Sequence, residues 1–169
     1  DAPGQGQSSG TEFTAVRYAQ ALSALFKIHA PHYIIGHSMG GFTSMFYQYM
    51  NQNQSVKKII LLGSPSEMDV ILDHFCSLLD LKNRIKNDLK STIFSRYKIE
   101  TKDFAIHKFA QKIATQTLII HDTNDKIVSI NEAHKIFENH QNAQIFVTQN
   151  LNHKLQDKLV FDKIIEFIN

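Results

Sequence analysis

Tyr33-Ile34-Ile35-Gly36-His37-Ser38-Met39-Gly40-Gly41-Phe42 decides the reading of this chain. A short apolar burst, His32 to Gly36, runs straight into a cluster of small residues. An almost wholly apolar stretch, Phe42 to Met50, follows. The first reads as a buried strand and the last as a helix buried on several sides. Between them Gly36-x-Ser38-x-Gly40 fits a sharp strand-to-helix turn with a serine at its tip. Small residues at 36 and 40 relieve crowding around a strained Ser38. The helix start directs backbone N–H groups toward the serine, where developing negative charge can be stabilised. A glycine-rich turn in any strand–helix unit is the plain alternative, and the flanking strand and helix weigh against it.

Outward from this turn the pattern repeats. Asp1 to Gly10 holds four Gly or Pro residues and reads as a loop. Thr11 to Ala30 has helical apolar spacing and stops at Pro31. Val56–Leu62, Thr117–Ile120 and Ala143–Thr148 read as further strands, and Ile130–His140 and Leu159–Ile168 as helices. This alternation predicts an α/β fold, a three-layer α/β/α sandwich around a mainly parallel sheet. One domain is expected over 1–169, with 66–114 inserted as a helical cap.

A serine nucleophile needs a base, and the base needs an acid to fix its tautomer. Parallel sheets carry their functional loops beyond the C-terminal strand ends. After the third strand, Asp122 and Asp125 compete; Asp125 sits deeper in the loop, while Asp122 suits a turn cap. After the fourth, His153 lies in the loop before the last helix. Nine histidines make a chance placement easy, but Ser38, Asp125 and His153 follow three different strands in the order Ser…Asp…His. His37 is expected to point away from the turn tip, and His121 to be structural.

These segments resemble the α/β-hydrolase superfamily. Asp1 to Ser8 resembles its Asp-x-Pro-Gly-His-Gly-x-Ser loop, Gly36 to Gly41 its nucleophile elbow, His121 to Val128 its His-Gly-x-x-Asp-x-x-Val segment, and Asn152-His153 its Gly-His. Gln5, Asp122 and Asn152 depart from the usual residues. The resemblance implies a catalytic triad of Ser38, Asp125 and His153, with the Met39 N–H as the first oxyanion donor. The family's early strands and its second oxyanion donor precede Asp1, so a longer natural chain is expected, with Tyr33-Ile34-Ile35 left as an exposed apolar edge in this one.

The implied activity is cleavage of an ester, thioester or similar acyl bond through an acyl-enzyme, without cofactor or metal. Phe75, Leu78, Leu79, Phe94 and Phe104 are candidates to line an acyl pocket, or simply to pack the insert onto the sheet. A non-catalytic binding module, an inactive fragment and an acyltransferase are the alternatives. A net charge of +2 gives no case for nucleic acid. No apolar run reaches the ~20 residues of a membrane span. A single cysteine, Cys76, excludes an internal disulfide and fits a cytoplasmic setting. The expected partner is a small acyl substrate; substrate-binding residues and oligomeric state stay open.

Overall fold

The computed structural model describes all residues, Asp1–Asn169. Four strands, β1 (Tyr33–His37), β2 (Lys58–Leu62), β3 (Gln116–Asp122) and β4 (Ala143–Thr148), form one sheet in the order β1-β2-β3-β4. All three pairings are parallel. The helices are α1 (Ala15–His29), α2 (Met39–Asn51), α3 (Met68–Leu78), α4 (Asn83–Tyr97), α5 (Ile106–Ala110), α6 (Ile130–Glu138) and α7 (Lys158–Ile168). The expected alternation and parallel sheet are therefore present, with boundaries shifted by a few residues. At α1 the reason is visible: the Thr14 hydroxyl accepts from Arg17 N–H and caps the helix there. The helix thus begins four residues later than expected.

Strand residues divide by parity between two cores. Ile34, Ile59, Leu61 and Ile119 join α1, α2, α3, α5 and α6 in a cluster of 20 buried residues. Ile60, Leu118 and Ile120 face the other way, onto Val160 and Ile164 of α7. Because the sheet is covered on both sides, β2 and β3 are buried nearly continuously rather than alternately, around the apolar runs Ile59–Leu62 and Leu118–Ile120. β1 is an outer strand, and Tyr33 and Ile35 remain 43% and 52% exposed. The exposed apolar edge expected there is observed.

Residues 66–114 contain α3, α4 and α5. These helices have different attachments. Met68, Leu72 and Cys76 anchor α3, whereas α4 has no buried residue. Ile106, Phe109 and Ala110 of α5 are buried, with Phe109 stacked on Tyr49 of α2. No helix is long and apolar enough to cross a membrane.

Candidate active site

Ser38 sits between β1 and α2 with φ 53° and ψ −121°, in the left-handed region that a side chain rarely adopts. The turn is held by Ser38 N–H donating to Leu62 O at 2.8 Å and by Gly41 N–H donating back to Ser38 O at 3.0 Å. Gly36 is required: a Cβ there would lie 2.6 Å from the backbone of Gly40 and Gly41. The second required glycine is Gly41, not Gly40. A Cβ on Gly41 would stand 2.8 Å from the Ser64 hydroxyl, whereas one on Gly40 would meet only Tyr18 Oη at 3.9 Å. The expectation for position 40 is thereby corrected. The crowding comes from the crossing of β1 with the first turn of α2, which falls on 36 and 41. Gly40→Ala should leave turnover within about two-fold and raise stability by up to about 1 kcal/mol, since helical glycine is entropically costly. A urea titration beside an activity assay checks this.

Met39 N–H has no intramolecular acceptor. It is an unsatisfied donor of the first helical turn, next to the serine. This suits the oxyanion role expected of it.

The Asp125 side chain is fully buried, and each carboxylate oxygen has a task. Oδ1 accepts from Ile127 N–H at 2.8 Å and Val128 N–H at 2.9 Å. Oδ2 accepts from His153 Nδ1 at 2.7 Å. In the neutral ring the proton therefore sits on His153 Nδ1, and Nε2 is the bare nitrogen. Asp125 and His153 thus meet as expected. No hydrogen bond joins Ser38 Oγ to His153. Catalytic contacts of this kind are often long before substrate arrives.

His121 is the other imidazole near Asp125, 3.4 Å from Oδ2. Burial pushes its pKa down, against the pull of a hydrogen bond to Val128 O and the nearby carboxylates. Nε2–H donates to Val128 O at 2.9 Å, and Nδ1 is buried without a partner, as suits the bare nitrogen of a neutral ring. His121 braces the Asp125 loop and leaves His153 as the imidazole hydrogen-bonded to Asp125.

Three contributions were not read from the sequence. Asp122, fully buried, does more than cap its turn. Its Oδ2 accepts from Thr148 Oγ1 at 2.8 Å and Leu151 N–H at 2.9 Å, and its Oδ1 from Asn124 N–H at 2.9 Å. One carboxylate thus ties the acid loop to the base loop. Burial alone would raise its pKa, but these hydrogen bonds outweigh burial and hold it below the ordinary value. With a lowered folded pKa, the stabilisation is full above about pH 4 and is lost as pH falls through the folded value. Asp122→Asn should therefore lose stability at neutral pH and show a flatter decline below about pH 4 in urea titrations.

Gly63, which closes β2, has φ +54°. A Cβ there would lie 3.2 Å from His153 Nδ1 and 3.4 Å from Asp125 Oδ2. The third contribution is His37. Its side chain turns to the base loop, with Nε2 2.8 Å from His153 O. It does leave the turn tip, as expected.

A cavity of about 70 Å³ lies beside the serine, between Ser38, Met39, Pro65, Ile71, His74 and Val128. A larger one of about 250 Å³ shares Met39 and Ile71 as walls and extends past Phe13, Phe75, Ile93 and Phe104. Phe75 and Phe104 thus line the apolar space, as the sequence suggested. Leu78 and Leu79 do not, because they are 72% and 51% exposed on the outer face of α3 and its end. Phe94 also faces outward, under Lys98 Nζ. Helical periodicity marks an apolar stripe without saying what covers it.

Residues 1–78 match the family model described as the alpha/beta hydrolase fold. No curated protein sequence matches the chain. Solved structures with the same architecture include mouse alpha/beta hydrolase domain-containing protein 10, at TM-score 0.69 and 15% identity, covering 100% of this chain and 77% of that one. An esterase from Exiguobacterium antarcticum is similar at TM-score 0.69 and 15% identity, over 99% of this chain and 79% of that one. A monoacylglycerol lipase from Paleococcus ferrophilus is similar at TM-score 0.65 and 15% identity, with the same two coverages. At such identities the likeness speaks to fold alone.

Proposed function

We propose that this chain, which has the α/β-hydrolase fold, is a serine hydrolase of acyl esters or thioesters using Ser38, His153 and Asp125. The observation that carries the reading is the 2.7 Å contact between buried Asp125 Oδ2 and His153 Nδ1, which in the neutral ring places the proton on Nδ1 and leaves Nε2 bare. In the proposed reaction His153 Nε2 takes the Ser38 proton as Oγ attacks the acyl carbon. The resulting oxyanion accepts from Met39 N–H, and the imidazolium is balanced by Asp125. Collapse expels the alcohol or thiol, which takes the proton from His153. Water, deprotonated by the same imidazole, then releases the acid and restores Ser38. No step needs a cofactor or metal.

The cavity beyond Met39 supports an apolar acyl group. At ~30 Å³ per water-sized group, its volume suits an acyl chain of roughly six to eight carbons. A cytoplasmic location belongs to the same proposal and rests on the single unpaired cysteine, Cys76. The competing reading, a binding module that keeps the fold without turnover, is favoured by the missing Ser38–His153 hydrogen bond. A series of p-nitrophenyl esters separates the two. Hydrolysis is expected, with kcat/KM rising about three- to four-fold per methylene and levelling near eight carbons. Saturable ester binding without product, in wild type and Ser38→Ala alike, would establish the module instead.

A further inference from the structure

The loop that carries His153 is built from unfavourable backbone. Asn150, Asn152 and Leu155 adopt φ 67°, 56° and 51°, and none is glycine. Asparagine enters this region readily, but a left-handed leucine costs on the order of 1 kcal/mol or more and persists only where contacts impose it. Leu155 is sunk among Ile60, Leu118 and Ile120. Leu151 N–H is held by Asp122 Oδ2, and the Asn150 side chain by Asn124 Nδ2 at 2.7 Å. These contacts fix the ends of the loop.

At His153 itself the backbone has one protein partner. His153 O accepts from His37 Nε2 at 2.8 Å, and no other protein donor reaches it. The two rings also pack, with centroids 4.7 Å apart at 54°. His37 immediately precedes Ser38, in the last position of β1. One side chain therefore joins the backbone of the base to the strand that delivers the nucleophile.

We propose that His37 is a positioning residue that sets His153 against Ser38 by donating Nε2–H to the His153 carbonyl. The inference rests on the serine-hydrolase reading for its effect on turnover, but not for the hydrogen bond. Since a carbonyl only accepts, the ring must carry its proton on Nε2 when neutral. His37 makes no demand on substrate binding, so its loss should fall on kcat rather than on KM.

Two variants separate positioning from packing. His37→Phe keeps a flat ring against His153 but has no donor; His37→Gln restores an N–H at similar reach. With the best ester, His37→Phe should lower kcat about ten-fold with KM within about two-fold, and His37→Gln should recover most of the loss. A His37→Phe kcat within two-fold of wild type, a loss confined to KM, or no recovery in His37→Gln would overturn the proposal. Nitrogen-15 histidine spectra decide it without turnover. They should show a proton on His37 Nε2, and the Nδ1 proton of His153 broadened or lost in His37→Phe. A bare Nε2 on His37, or an unchanged His153 signal, overturns it. If wild type hydrolyses no ester and Ser38 takes no phosphonate label, the hydrolase reading has failed, and the spectra still judge His37.

Discussion

Asp125→Asn is expected to lower kcat on any ester substrate by about 10⁴-fold while the fold survives. The direction follows from the two halves of the carboxylate. Oδ1 accepts from two backbone donors, Ile127 N–H and Val128 N–H. In asparagine only the amide oxygen can take that place, so the NH₂ group is forced into the position of Oδ2. There it meets His153 Nδ1, 2.7 Å away in the native chain. Two donors cannot share that contact, so Nδ1 must become the acceptor and the ring proton moves to Nε2. The nitrogen needed as base is then blocked. Shape and packing are almost unchanged, so urea titration should show a much smaller effect than kinetics. A variant retaining more than a tenth of wild-type kcat would contradict the role assigned to Asp125.

Gly63→Ala is expected to lower kcat by about 10²-fold, with stability reduced by only about 1–2 kcal/mol. At φ +54° an alanine is strained whatever space surrounds it. The methyl would also press within 3.2 Å of His153 Nδ1 and 3.4 Å of Asp125 Oδ2. The imidazole must give by a few tenths of an ångström, while Asp125 Oδ2 is at ordinary contact, and a proton-transfer geometry tolerates little displacement. Kinetics and unfolding measured together separate the two consequences. If the kcat loss vanishes under conditions where the variant is fully folded, strain alone explains Gly63.

Much of the architecture is legible in the sequence because burial leaves a local mark. β2 and β3 are buried on both faces, so their apolar centres, Ile59–Leu62 and Leu118–Ile120, mark the strands read at Val56–Leu62 and Thr117–Ile120. The order of Ser38, Asp125 and His153 is legible because each follows its own strand. Roles that arise where separate loops converge leave no such mark. Asp122 and Leu151 are 29 positions apart and meet only because β3 and β4 lie side by side in parallel register. Gly63 looks like an ordinary strand end until the His153–Asp125 pair is set against it. Gly36 of the turn is legible, but its partner is Gly41 rather than Gly40, since crowding depends on how α2 crosses β1. The outward turn of Leu78, Leu79 and Phe94 was equally invisible, because periodicity gives a helix a stripe but not a partner.

The most direct measurement of the central claim is labelling with an alkyl fluorophosphonate followed by peptide mass mapping. The account predicts a single stoichiometric adduct on Ser38, formed rapidly in wild type and slowed by several orders of magnitude in His153→Ala. An unlabelled Ser38, or labelling equally fast without the imidazole, would contradict it.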